Sequence, residues 1–331
     1  MHPKKNKQFK FLSLCYHYIR KDNNKFPRIL GNSESDFRKH LKFLKNKFKI
    51  LSLEEVLDFY YKGCIPRGSK PGMLITFDDG LSDHYLAAKI LRENKVKGVF
   101  FLPTCILKDR LPANPTIIHY CIAEFGIGNF LQSYENALKY NRLALSKHKI
   151  IFQKGLGNPD ETIKKIKHTF KYKFNHILSR KILLRIYKQL MLKKYPNAMN
   201  LMHLDKKQVK KMLKMGHSVG VHTHTHISVG SCNLSKKDFE KEIIYPGKVI
   251  KNELKISARS LSYPFGDVKD CLDAENFLKK TKRYALAFTV KEISNNINTS
   301  PFELGRYMPL STDNTQKLDS VLNCMLKRSS S

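Results

Sequence analysis

The run Met73-Leu74-Ile75-Thr76-Phe77 passes directly into Asp78-Asp79-Gly80, after a stretch broken by Gly63, Pro66, Gly68, Pro71 and Gly72. A short uninterrupted apolar segment bounded by turn formers is what a strand buried on both faces requires. Such strands belong to parallel sheets covered by helices. This segment therefore points to an α/β architecture, and the rest of the chain alternates accordingly. Residues 11–18 read as a first strand, and Ser35 precedes a helical pattern with Phe37, Leu41 and Leu44 on one face. A short apolar run at 48–51 is followed by Ser52 and Glu55, the S-x-x-E capping box of a helix that carries Val56, Leu57 and Tyr60. Residues 84–94 then read as a helix and 96–102 as a strand, a further βαβ unit.

From 105 to 200 the alternation gives way to long Lys-rich helical stretches, notably 160–172 and 175–195, which predict an inserted helical region. Alternation resumes with a helix at 205–215 ended by Gly216, a strand at 218–221, a helix at 235–254, an extended segment at 261–263, a helix at 272–280 and a strand at 284–290. The expected organisation is a unit formed by 1–104 and 201–310, an insertion at 105–200, and a polar, frayed tail at 311–331.

The net charge is +33, from 61 Lys plus Arg against 28 Asp plus Glu. A field of that sign attracts polyanions such as anionic glycan or anionic lipid, yet lysine is spread along the whole chain, as a bulk compositional bias would also produce. Nothing points to a specific nucleic acid partner. The seven cysteines have no C-x-x-C pair and no regular spacing, which fits reduced thiols in the cytosol better than a disulfide framework or a zinc ribbon. Lys10 and His17 interrupt the first apolar run and no small-residue cleavage site comes after it, so that run reads as a strand rather than a signal peptide. No stretch approaches the ~18 apolar residues of a spanning helix. The expected location is cytoplasmic, with contact at the inner membrane surface as an alternative.

Two adjacent carboxylates repel unless a cation or proton compensates, so Asp78-Asp79 suggests a metal site or an acid/base pair, with an Asx turn as the plain alternative. His222-Thr223-His224-Thr225-His226 places three imidazoles on alternate residues just after a strand. Two of them and one carboxylate would make a three-ligand shell with positions left for water and substrate, whereas the bland alternative is an exposed, metal-scavenging loop.

At this point a resemblance becomes specific. Residues 74–80 (LITFDDG) resemble the T-F-D-D-G motif of the polysaccharide deacetylase family, the NodB-homology carbohydrate esterases. His222 to His226 resembles its H-[S/T]-x-x-H motif, and Ser262-Tyr263-Pro264-Phe265-Gly266 its Y-P-[YF]-G stretch. Weaker likeness extends over the chain apart from the insertion and tail. The resemblance implies a distorted (β/α) barrel of about seven strands. It implies a divalent cation, zinc with cobalt or nickel as alternatives, held by Asp79, His222 and His226, with Asp78 as general base. The backbone N–H of Phe265 would serve as an oxyanion donor, and Tyr263 and Phe265 could stack on sugar rings. The expected substrate is an N-acetylated glycan, anionic or lipid-linked.

The sequence departs from the family pattern in three ways. Ser262 stands where many members have the arginine that pairs with the base, which leaves Arg306 as a replacement. No histidine follows His226, so His17, on the first strand, becomes the candidate general acid, a core histidine being its plain alternative. There is no tryptophan for the family's D-x-x-D-W motif. An allantoinase-like hydrolase of a cyclic amide and a degenerate barrel that binds anionic polymers are the competing readings.

Overall fold

The computed structural model describes residues 9–21, 24–151, 158–232, 234–271 and 274–328. Among them a parallel sheet of seven strands runs β1 (Phe11–Tyr16), β5 (Gly72–Phe77), β6 (Val99–Leu102), β7 (Ser218–Val221), β8 (Ser260–Ser262) and β9 (Leu286–Phe288), with β4 (Lys49–Leu51) also paired to β5. Two-residue strands β2 (Ile19–Arg20) and β3 (Asn32–Ser33) form a separate pair. β4 covers the first three residues of β5 and β6 its last two, while β1 pairs along the whole of its other side. Alternate side chains on β5 go to opposite faces. Leu74 joins a core with Phe11, Val99, Phe101, Leu286 and Phe288, while Met73, Ile75 and Phe77 join the larger layer in which Phe77 stacks on Phe100 at 4.5 Å between centroids. Both faces are dry, as the uninterrupted run in the sequence requires.

The sheet curls until its edge strands β9 and β1 nearly meet, and residues 304–307 fill the gap. Leu304 exchanges backbone hydrogen bonds with β9 (its N–H to Ala287 O, its carbonyl accepting from Thr289 N), and Tyr307 does the same with β1, to Ser13 O and from Cys15 N. This closing segment was not expected from the sequence. Its placement decides the position of Arg306.

The sequence-derived helices form with small differences. The first begins at Glu34, capped by Ser33 rather than introduced by Ser35, and Ser52 and Glu55 make the expected reciprocal cap. The helix expected at 235–254 is instead Lys236–Phe239, a π-helical turn Glu240–Ile244, and Tyr245–Leu254. Pro246 supplies no N–H and its ring crowds the preceding turn, so a widened turn accommodates it. The tail is corrected: Thr315–Lys327 is a helix capped by the Asn314 side chain, and Leu318, Leu322 and Met325 bury their side chains at i, i+4, i+7 in the main core. A polar composition concealed that stripe.

Between β6 and β7 the helices Asn114–Tyr140, Pro159–His168 and His176–Tyr187 build a second apolar core around Tyr120, Phe130, Tyr134, Ile182 and Ile186. Leu81, just after Asp78-Asp79-Gly80, joins that core. A buried histidine makes the junction firm. His203 Nδ1–H donates to Gly80 O at 3.2 Å and its Nε2 accepts from Ala113 N–H at 3.2 Å, an arrangement only the neutral ring can satisfy. Burial lowers its pKa to about 4, and likewise those of His84 to about 4 and His119 to about 3, from 6.5.

These depressed values set the sign of a pH dependence. Below pH 6.5 the unfolded chain binds protons that the folded rings refuse, so stability is complete above that pH and is lost as pH falls toward 4. The urea midpoint should therefore drop steadily between about pH 6.5 and 4.5, above the carboxylate range. A midpoint flat across that interval would show these rings to be protonated in the fold.

Candidate active site

Every predicted site residue except Arg306 follows the C-terminal end of a parallel strand, the end at which α/β barrels gather their chemistry. His17 follows β1, Asp78 and Asp79 follow β5, His222 to His226 follow β7, and Tyr263 and Phe265 follow β8. His17, Asp78, Asp79, His222, His226 and Phe265 line one cavity of about 520 Å³, whose outer wall comes from the helices between β6 and β7.

Asp79, His222 and His226 converge. His226 Nε2 lies 3.0 Å and His222 Nε2 3.5 Å from Asp79 Oδ1, and all three residues are buried. The protonation of His222 is set by its neighbour: Nδ1–H donates to the Ser262 carbonyl at 2.8 Å, so Nε2 of the neutral ring presents a lone pair toward the carboxylate. Two lone pairs aimed at each other inside a protein repel unless a cation stands between them. Asp79 Oδ1 has no hydrogen-bond donor although it is buried. Burial opposes charge on both groups, but Asp78 and Asp79 together hold the His222 ring above the usual histidine range, and the imidazoles hold Asp79 well below the usual carboxylate range. A proton thus satisfies electrostatically what a divalent ion would satisfy by coordination. The donor set, one carboxylate oxygen and two imidazole nitrogens, fits zinc, cobalt or nickel.

Cys15, His17 and Asp78 also lie close enough to share an ion, with Cys15 Sγ and His17 Nδ1 4.0 Å apart. Burial keeps the Cys15 thiol protonated, its pKa raised well above normal, and both Asp78 oxygens are already engaged. That set suits a cation poorly.

Asp78 is held from behind. Arg306 Nη1 and Nη2 donate to its Oδ1 and Oδ2 at 2.9 and 2.8 Å, and Ser262 Oγ–H donates to Oδ2 at 2.8 Å. The remaining Arg306 donors go to Thr76 Oγ1, Ser262 Oγ and Thr289 O, so all five guanidinium N–H groups are used. Burial alone would raise the Asp78 pKa, but the Arg306 charge, aided by His222, keeps it below the usual carboxylate range. Arg306 is therefore placed beside Asp78, in the role that a serine at position 262 leaves open.

Tyr263 is in the main core, its hydroxyl donating to Phe302 O at 3.0 Å, and it also lines the cavity. Phe265 has a left-handed backbone, φ 65°, and its ring meets His226 edge-on at 4.9 Å. Asp79, Thr223 and His226 share that conformation, with φ of 78°, 58° and 64°. Non-glycine residues held at positive φ cluster where a site over-determines its backbone. His224 turns away from the cavity: its Nδ1 meets Thr104 Oγ1 at 2.9 Å and its Nε2 Asp109 Oδ2 at 3.0 Å.

Glu242 escaped notice in the sequence. Buried in the π-turn, it accepts the backbone N–H groups of His224 and Thr225 at Oε2, at 3.1 and 2.9 Å, and Thr225 Oγ–H at Oε1, and so fixes the loop that carries His222 and His226. An acid beside the apolar pair Ile243 and Ile244 was the signal available.

This arrangement is a parallel-stranded barrel in which one carboxylate and two imidazoles lie close enough to hold an ion, beside a second carboxylate clamped by arginine. The sequence model of a family described as polysaccharide deacetylase matches residues 180–288, which include β7, both histidines and Phe265. No curated protein sequence matches the chain. Three solved structures share the fold. Streptococcus pyogenes deacetylase PplD in complex with acetate has a TM-score of 0.59 at 17% identity, covering 95% of this chain and 98% of that one. IcaB from Ammonifex degensii has a TM-score of 0.56 at 15% identity, covering 96% and 98%. The de-N-acetylase from Aggregatibacter actinomycetemcomitans has a TM-score of 0.54 at 14% identity, covering 95% and 100%. Residues 180–288 thus match the polysaccharide deacetylase model, and the chain as a whole shares the fold of these deacetylases.

Removing Arg306 leaves a buried carboxylate without its counter-charge. Arg306→Ala should cost about 3–5 kcal/mol in urea unfolding, and Arg306→Lys should recover only part, since an ammonium cannot make the forked contact. Glu242→Gln should loosen the histidine loop at about 1.5–3 kcal/mol. A loss below about 1 kcal/mol for Arg306→Ala would mean the clamp is not the main support of Asp78.

Proposed function

We propose that this protein hydrolyses N-acetyl groups on amino sugars of a polysaccharide or lipid-linked glycan, with a divalent ion, zinc first among the candidates, held by Asp79, His222 and His226. The observation that carries the reading is the convergence of Asp79 Oδ1 with two imidazoles, beside a separately clamped Asp78. The Streptococcus pyogenes deacetylase that shares the fold is a complex with acetate, the product such a reaction releases.

When bound, the ion would polarise the acetamide carbonyl and acidify water. Asp78 then has one task, to accept the proton of that water. Its depressed pKa keeps it ionised and ready at neutral pH, and the Arg306 fork fixes its orientation. As the C–O bond forms, the carbonyl oxygen gains negative charge, and the Phe265 backbone N–H is the assigned donor for it. Collapse breaks the C–N bond, and the leaving nitrogen takes a proton. His17 is the group assigned to give it: the ring is half-buried, lines the same cavity, and its backbone carbonyl is tied down by His84 Nε2–H at 2.9 Å. Products are acetate and a free amine.

Among the described residues no helix is long and apolar enough to cross a membrane.

Acetate release from N-acetylated oligosaccharides should disappear on chelation and return with added zinc. Asp79→Ala should lose stoichiometric metal. Asp78→Asn should keep the metal yet lose about 10²–10⁴-fold in kcat, the range of a general base. Equal turnover by Asp78→Asn and the parent would remove Asp78 from the reaction, and full activity without any metal would remove the ion.

A further inference from the structure

A second cavity, of about 450 Å³, adjoins the catalytic one on the helical wall. Its lining includes Lys147, Lys149, Lys164, Lys165 and Lys173, with His148 and His168, and among the described residues it contains no carboxylate. Lys164 and His168 line both cavities, so the two are neighbours across this helix. On the catalytic side Lys167 joins them, one helical turn from Lys164.

Several features separate this surface from the general lysine excess. Elsewhere a minority of the lysines have acids, as Lys47 with Asp319, Lys194 with Glu124 and Lys206 with Glu253, so what marks this surface is the gathering of unpaired lysines in one carboxylate-free cavity beside the catalytic one. None of the six lysines at the two cavities named above has an ion pair among the described residues, and desolvation pulls the Lys167 ammonium below the usual lysine range. Lys171, the next cation inward, is by contrast neutralised by Asp270 at 2.7 Å while its ammonium sits 3.8 Å over the Phe265 ring. The positive charge therefore stops at the Phe265 platform. Beyond it lie Asp78 and Asp79, the only acids among the described residues that line the catalytic cavity.

We propose that this track binds the backbone of a phosphodiester-bearing N-acetylated glycan, so that an acetamido sugar enters the catalytic cavity while neighbouring phosphates lie along Lys164, Lys167 and the outer lysines. The inference rests on the deacetylase reading and supplies its substrate class. Reaction stoichiometry supports it. Each turnover turns a neutral acetamide into an ammonium ion, so a neutral polymer would become cationic and be repelled by this wall. A polymer with its own anions stays attracted as it loses acetyl groups.

The test is binding and turnover with three probes: a poly(N-acetylglucosamine 1-phosphate), neutral N-acetyl-chitotetraose, and poly(U). The phosphodiester glycan should bind most tightly and lose affinity steeply as salt rises toward roughly 300 mM. Lys164→Glu combined with Lys167→Glu should raise its Kd and KM about tenfold or more, with Lys164→Gln plus Lys167→Gln intermediate. Lys317→Glu, outside the track, makes the same charge change as one of those reversals and should change nothing. Equal affinity of parent and double variants for the glycan would overturn the proposal, as would chitotetraose binding as tightly as the glycan. Poly(U) displacing the glycan at equal phosphate concentration would reassign the surface to nucleic acid. Failure of the deacetylase reading would appear separately, as glycan binding without acetate release from any probe.

Discussion

The contact between Arg306 and Asp78 joins the two ends of the architecture. Asp78 sits at the end of the central strand, and Arg306 sits in the segment that bridges the last strand to the first. A guanidinium buried with all its donors engaged is tolerable only where carboxylate, hydroxyl and carbonyl oxygens are prearranged around it, and that arrangement exists only when the barrel is closed. Closure and the clamping of Asp78 are therefore one event. The apolar layer of Phe101 and Phe288, each ring 5.8 Å from the guanidinium carbon, lowers the local dielectric and strengthens the pair it surrounds.

Adjacent residues divide the labour at the strand end. Asp78 and Asp79 point to different neighbours: one to a permanent organic cation, the other to two imidazoles. Both are kept ionised, but by means of different durability. The arginine cannot leave or lose its proton, whereas an ion can be removed by a chelator. A single dipeptide thus contains a permanently clamped carboxylate and one that, with the proposed ion, would answer to metal supply.

Much of this was legible in the chain. The run 73–77 announced its strand because both faces are buried, and the histidine loop was visible because imidazoles on alternate residues are rare. Arg306 could be suspected only because Ser262 occupies the place of an expected arginine; that 304–307 closes the barrel has no periodic signal, since four irregular residues carry no pattern. Glu242 and His203 were hidden for a related reason. Each acts through backbone groups of distant residues, His224 and Thr225 in one case and Gly80 and Ala113 in the other, and backbone partners leave no trace in side-chain identity. The tail helix was missed because its apolar residues, among polar ones, were read by composition instead of spacing.

The π-helical turn Thr169–Lys173 lies between the outer lysines and the Phe265 ring. Such a turn amounts to one residue more than an α-helix would use over the same rise. The turn ends its helix, since Phe174 and Asn175 are extended before His176–Tyr187 begins, so removing one residue there would rotate the side chains after the cut by about 100° about the helix axis. A length change of one residue at this point would therefore re-aim the lysines nearest the Phe265 ring while the strands of the barrel kept their places.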